Sequence, residues 1–86
     1  MRNLTFQPQA TQQIAGWLDE NPKMLKRIFR LLTECCRTPF EGIGKPELLK
    51  GDLKGKCSRR IDDEHRLIYE VTDEEITVYS LRGHYE

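Results

Sequence analysis

The chain has 86 residues, and its 14 lysines and arginines are offset by 14 aspartates and glutamates. A chain of this length forms one domain, residues 1–86, and buries only roughly 60–65% of the surface that its unfolded form exposes. The zero formal net charge excludes a domain that binds free nucleic acid through its overall field, so any such binding would need a local basic patch or a larger assembly.

The first part of the chain predicts a short strand and then a helix. Leu4-Thr5-Phe6 is the strand candidate, and Pro8 ends it. From about Pro8 to Glu20 the apolar residues recur at helical spacing, namely Ile14, Trp17 and Leu18. Asn21-Pro22 ends this helix, because the residue before a proline is pushed out of the α region.

A second helix is predicted from Pro22 to about Arg37, since proline is well tolerated at a first helical position. One side of this helix is apolar and carries Met24, Ile28, Leu31, Leu32 and Cys35. The other side is basic and carries Lys23, Lys26, Arg27 and Arg30. Two amphipathic helices joined by Asn-Pro indicate a helical hairpin packed on one face of a sheet.

The second part of the chain predicts a loop followed by three strands. Residues 38–46 hold two prolines and two glycines, which is typical of a loop. Beyond the loop the period falls to two, and strands are expected at residues 57–61, 65–71 and 75–81. The resulting order is β-α-α-β-β-β, an α+β fold with an antiparallel sheet.

The three cysteines indicate free thiols. Cys35, Cys36 and Cys57 are odd in number and include one adjacent pair, so a disulfide framework is not expected. There is no CxxC spacing and no Cys/His cluster, and we expect no metal and no cofactor. The chain shows neither a signal peptide nor an apolar run near the ~20 residues of a membrane helix. We therefore expect a soluble cytoplasmic protein.

The predicted hairpin over residues 57–71 carries two arginines. With a three-residue turn at Asp62-Asp63-Glu64, Arg60 lies opposite Arg66. Like charges opposite each other destabilise a sheet, but they suit a polyanion, because guanidinium groups bind phosphate oxygens bidentately. Two other interpretations remain open: the acidic turn neutralises the arginines, or the strand register differs.

Two further positions carry groups that transfer protons. Glu47 lies between Lys45 and Lys50, and His84-Tyr85 follows the last strand. Either position could instead be an ordinary solvated carboxylate or a frayed tail. Together they supply what RNA cleavage through its own 2′-hydroxyl needs. Glu47 would be the base, His84 the acid, and the arginines with Lys50 the cations that stabilise the phosphorane.

Three segments resemble the YoeB/Txe toxins of the RelE/ParE superfamily. Residues 37–47, RTPFEGIGKPE, are similar to that family's RTPFEGxGKPE segment. Residues 58–61 and 64–69, SRRI and EHRLIY, resemble its SRRI...EHRLVY block, and residues 82–85, RGHY, resemble its closing RxHY. One position departs from the pattern, because Cys57 stands where the family often has an aromatic residue, commonly tryptophan.

The resemblance implies a function and partners. Members of that family are ribosome-dependent mRNA endoribonucleases that cut in the ribosomal A site and are neutralised by a YefM/Phd-type antitoxin. Operator DNA is bound only through the antitoxin complex, and the family often forms homodimers, which leaves the free oligomeric state open. Carried over by position, the catalytic residues are Glu47, Arg66, His84 and Tyr85, and the residues that hold phosphate are Lys50, Arg60 and Arg59.

Two other functions remain as alternatives. A ParE-like toxin would inhibit DNA gyrase and cut nothing, although the pairing of Glu47 with His84 argues against it, since an inhibitor needs no acid–base pair. A non-catalytic co-repressor would act together with its antitoxin on operator DNA.

Overall fold

The computed structural model describes residues 1–83, and it begins with the strand and the two helices expected from the sequence. Strand β1 is Asn3–Phe6, helix α1 is Pro8–Glu20 and helix α2 is Pro22–Arg37. Each helix starts at a proline, whose missing N–H has no partner in a first turn anyway. The Asn21 side chain caps α2 by accepting a hydrogen bond of 3.3 Å from the Met24 N–H.

The remaining strands complete a mixed sheet. Strand β2 is Glu47–Leu48, β3 is Cys57–Arg60, β4 is Arg66–Val71 and β5 is Glu75–Ser80. In residues 1–83 the sheet has five strands in the order β1-β5-β4-β3-β2. Strands β2 to β5 form an antiparallel meander, whereas β1 pairs with β5 in parallel.

The α+β class and the helical hairpin predicted from the sequence are confirmed, and the predicted elements occur in the predicted order with one added strand, β2. The sheet differs from the expected antiparallel one at its two edges. β1 is parallel to β5 because the whole chain between them forms a long crossover, which parallel pairing requires. The sequence does not predict β2, because two residues are too few to show an alternating pattern.

The core lies between the two helices and one face of the sheet. Helix α2 buries the predicted apolar stripe except for Met24, which is partly buried, and α1 buries Ala10 and Trp17. Leu18, which was expected on the apolar side of α1 with Ile14 and Trp17, is 57% exposed because it lies about 100° around the helix from Trp17. Neither helix within residues 1–83 has the length and apolar character to cross a membrane.

Side chains alternate across the sheet, so each strand contributes to a covered face and an open face. Tyr69 and Val78 pair on the covered face, beneath the helices, and both are fully buried. Glu47 pairs with Ser58, and Arg60 pairs with Arg66, on the open face. The candidate site is on this open face.

Candidate functional site

The β3–β4 hairpin has the register predicted from the sequence. Arg60 pairs directly with Arg66, and the Ile61 N–H donates to the His65 carbonyl at 2.9 Å. Within residues 1–83 Glu20 pairs with Arg82, and the Glu64 carboxylate lies 3.7 Å from His65 Nε2, so neither hairpin arginine has a carboxylate partner there. The structure therefore holds two cations side by side on the open face, as an anion-binding surface requires.

Asp62 organises the turn rather than neutralising the arginines. Its Oδ1 accepts hydrogen bonds from the N–H of Glu64 at 2.9 Å and from the N–H of His65 at 2.7 Å. Desolvation by burial raises the pKa of Asp62, but these hydrogen bonds and the nearby charge of Arg27 outweigh it and lower the pKa. The Asp62 carboxylate thus stays ionised, and its Oδ1 accepts hydrogen bonds from two backbone N–H groups of the turn.

Glu47, Arg60 and Arg66 meet in one small pocket. Its volume is about 90 Å³, and it is lined by Lys45, Glu47, Ser58, Arg60 and Arg66. Glu47 is exposed on the edge strand β2, where solvent and substrate can reach it. Lys50 lines a separate groove on the flank of Glu47. The fold therefore gathers a carboxylate and several cations from segments that are distant in sequence.

Gly44 holds the loop before Glu47 against β3. Its carbonyl accepts a hydrogen bond of 2.6 Å from the Arg60 N–H. Gly44 has φ +85°, and a Cβ at this position would lie 2.9 Å from the Arg60 carbonyl oxygen. Only glycine fits such a backbone conformation and such a close approach. Glu47 follows three residues later, so the hydrogen bond between Gly44 and Arg60 also helps to position Glu47 beside β3.

Arg59 lies on the covered face and is completely buried. Its guanidinium donates to the carbonyl oxygens of Thr38, Glu41 and Ile43, and its Nε donates to the Tyr69 hydroxyl at 3.3 Å. This corrects the sequence-based expectation that Arg59 holds phosphate. Its donors are committed to the backbone of the loop, and its side chain is on the face opposite to the pocket.

The backbone of Gly83, the last residue described, is bound on both sides. Its carbonyl accepts from the Arg66 N–H at 2.8 Å, and its N–H donates to His65 Nδ1 at 2.8 Å. His84 and Tyr85 lie outside the described residues, so their predicted roles stay predictions. No sequence pattern indicated His65, because its partner is 18 positions away.

The basic side of α2 lines a cleft of about 510 Å³. Its walls are formed by Lys23, Lys26, Arg27, Arg30, Leu31, Ile43 and Gly44. Gly44 lines this cleft, and the next residue, Lys45, lines the pocket that contains Glu47. Arg27 also has a structural role, since its Nε donates to the Ile61 carbonyl. The fold thus supplies a local basic patch despite the zero net charge.

The cysteines are not placed to act as nucleophiles. Cys35, Cys36 and Cys57 are all buried with free thiols. Burial raises the pKa of Cys35 to about 12, although the nearby Arg59 charge opposes the rise, and burial also raises the pKa of Cys36 and of Cys57. Within residues 1–83 no group of three His, Cys, Asp or Glu side chains is arranged to hold a metal ion.

Solved structures of bacterial toxins share this fold. The YoeB dimer from Staphylococcus aureus has a TM-score of 0.90 and 46% sequence identity, covering 98% of this chain and 98% of that chain. A heterotetrameric YoeB–YefM toxin–antitoxin complex from the same organism has a TM-score of 0.89 and 45% identity, with 99% of each chain covered. The fold defines this protein as a small toxin of the RelE/ParE superfamily.

Sequence comparison gives the family within that class. Residues 6–85 match the family described as YoeB-like toxin of bacterial type II toxin-antitoxin systems. The protein named Toxin YoeB from Mycobacterium bovis is 51% identical over 85 residues, which is 99% of this chain and 100% of that protein. The chain belongs to the YoeB-like toxin family, and the resemblance inferred from its three motifs is confirmed.

Proposed function

We propose that this toxin is an endoribonuclease that cleaves mRNA in the ribosomal A site. The observation that supports it best is the pocket in which Glu47 lies beside Arg60 and Arg66. A carboxylate can remove a proton from a 2′-hydroxyl, and two guanidinium groups can stabilise the dianionic phosphorane that attack by this oxygen creates. An inhibitor that only bound a partner would need no such combination.

In the proposed mechanism each group has one role. Glu47 takes the proton of the 2′-hydroxyl, whose oxygen attacks the adjacent phosphorus. Arg66 stabilises the charge of the transition state, Arg60 and Lys50 hold phosphate, and His84 protonates the departing 5′-oxygen. Tyr85 stacks on the substrate base. The products carry a 2′,3′-cyclic phosphate and a free 5′-hydroxyl, so no metal or cofactor is needed.

The charge distribution supports dependence on the ribosome. A net charge of zero gives no long-range field that would collect free mRNA, and seven of the 14 basic residues line the α2 cleft or the pocket. A ribosome would supply the missing positioning and present the message as a single strand. We therefore propose that the toxin cleaves naked RNA only slowly at physiological salt.

The relatives support two partners. The Staphylococcus aureus YoeB forms a heterotetramer with YefM, and another structure of it is a dimer. We propose that this toxin, in the cytoplasm, is neutralised by a YefM/Phd-type antitoxin, that it reaches operator DNA only through that complex, and that it also forms a homodimer.

The test is to map mRNA 5′ ends after adding the toxin to a reconstituted translation system. Cuts confined to the A-site codon are expected, and they should disappear in Glu47→Ala and in His84→Ala while antitoxin binding persists. Toxicity that survived both substitutions would exclude the nuclease. Relaxation and supercoiling by DNA gyrase, measured with the same preparations, would reveal the ParE-like alternative, and operator binding without any cleavage would reveal the co-repressor.

A further inference from the structure

His65 is enclosed where α1, the β3–β4 turn and the C-terminal segment meet. It is 9% exposed, and its ring packs edge-on against Trp17 with centroids 4.8 Å apart and an interplanar angle of 89°. The Trp17 indole in turn donates from Nε1 to the Leu81 carbonyl at 3.1 Å. The imidazole is therefore held in one orientation, with Nδ1 directed at the Gly83 N–H, 2.8 Å from its nitrogen.

This hydrogen bond determines the tautomer of the neutral His65 ring. A backbone N–H can only donate, so Nδ1 must carry a lone pair and the proton of the neutral ring must be on Nε2. The Glu64 carboxylate is 3.7 Å from Nε2, which favours a proton there. Protonation of Nδ1 would place two donors face to face and break the bond to Gly83.

The other charged groups around His65 leave its Nδ1 available to Gly83. The Asp62 carboxylate accepts from the His65 backbone N–H, and an Arg66 guanidinium nitrogen is 3.5 Å from the His65 carbonyl oxygen. Arg82 lies over the Trp17 ring, with its guanidinium carbon 4.5 Å from the ring centroid. His65 thus acts at this point as a fixed acceptor for the backbone.

We propose that His65 is a positioning residue that orients the chain as it leads into His84, the proposed general acid. The inference rests on the proposed function for the role of His84. Gly83 is bound by His65 through its N–H and by the Arg66 backbone through its carbonyl, so its peptide groups are fixed beside a proposed catalytic cation. Loss of the His65 anchor would free the Gly83 N–H, and small misplacements of a reacting group cost up to ~100-fold in rate.

Two substitutions separate the acceptor from the packing of the ring. His65→Phe keeps an aromatic ring against Trp17 but has no acceptor, whereas His65→Asn places an amide oxygen near the position of Nδ1. In cleavage on programmed ribosomes we expect His65→Phe to lower kcat by about 10- to 100-fold with KM within about twofold. We expect His65→Asn to recover most of the lost rate. A folded His65→Phe toxin that cleaves at the wild-type rate would overturn the proposal.

A spectroscopic measurement tests the anchor without relying on activity. Nitrogen-15 NMR of the full-length toxin should show His65 protonated at Nε2, and exchange of the Gly83 amide proton should be faster in His65→Phe than in wild type. A proton on Nδ1, or equal exchange in both proteins, would refute the anchor even if His65→Asn were too unstable for kinetics. Activity that persisted in His84→Ala would instead refute the proposed function, so the two failures are distinguishable.

Discussion

Arg59 and Arg60 are consecutive residues of β3, yet their side chains lie on opposite faces of the sheet. Arg59 is fully buried and donates to carbonyl oxygens of the loop that precedes Glu47, whereas Arg60 is exposed and lines the pocket that contains Glu47. Because side chains alternate along a strand, Arg59 stabilises the fold whereas Arg60 is available to bind a substrate.

Replacing each arginine with lysine should separate these roles. Arg59→Lys keeps the charge but loses the planar fork that reaches Thr38, Glu41 and Ile43, so buried carbonyls are left without donors. We expect the free energy of unfolding to fall by about 3 kcal/mol. Urea unfolding of the purified toxin measures this change.

The matched control is Arg60→Lys at the exposed neighbour. It should change the stability by less than about 0.5 kcal/mol, because it removes no buried contact. It should still slow cleavage on ribosomes by roughly tenfold or more, since an ammonium group cannot bind phosphate bidentately. Equal losses of stability in the two variants would contradict the assignment of faces.

The sequence predicts only part of the arrangement around Arg59 and Arg60. The turn predicted at residues 62–64 places Arg60 opposite Arg66, and the structure has this register, which the sequence alone left open. Which of Arg59 and Arg60 faces the helices does not follow, because both are charged and the loop carbonyls that satisfy Arg59 lie 16 to 21 positions away. The same limit applies to His65 and Gly83, whose contact is made by tertiary folding.

Gly44→Ala should destabilise the toxin through both its backbone conformation and its surroundings. The positive φ costs an alanine about 1–2 kcal/mol, and the new Cβ would meet the Arg60 carbonyl oxygen at 2.9 Å. We expect a total loss of about 2–4 kcal/mol in thermal or urea unfolding, because relieving such a contact adds about 1–3 kcal/mol.

Gly55→Ala isolates the steric part of that loss. Gly55 has φ +95°, but within residues 1–83 no atom beyond its own chain neighbours lies within 4 Å of the position that its Cβ would take. This variant should lose only the conformational part, about 1–2 kcal/mol. If Gly55→Ala were as damaging as Gly44→Ala, the close approach of the loop to β3 would not matter for stability.

Asp62 should make the stability depend on pH in the acid range. Its pKa is lowered in the folded protein, so its contribution is fully present above the unfolded pKa of about 3.9 and is lost as the pH falls through the folded pKa. Asp62→Ala removes two hydrogen bonds and should cost about 1 kcal/mol at neutral pH. The difference from wild type should shrink below about pH 4.

Asp63→Ala is the control for that pH dependence. Asp63 is exposed in the same turn, so its removal changes the charge without removing the hydrogen bonds to Glu64 and His65. Unfolding followed from pH 2 to pH 7 should show a nearly constant difference between this variant and wild type. A constant difference for Asp62→Ala as well would show that its carboxylate has no special place in the turn.

The basic side of α2 should govern how binding to ribosomes responds to salt. Each cation that neutralises a phosphate adds roughly 0.7–0.9 to the slope of log affinity against log salt. Lys26→Ala combined with Arg30→Ala removes two exposed cations of the cleft and spares Arg27, which binds the Ile61 carbonyl. We expect that double variant to bind ribosomes more weakly and to lower the slope by roughly 1.5.

The control is Lys54→Ala, which removes an exposed cation that does not line the cleft. It should lower neither the affinity for ribosomes nor the salt slope by a comparable amount. A salt slope unchanged in the double variant would mean that the cleft does not contact the phosphate backbone.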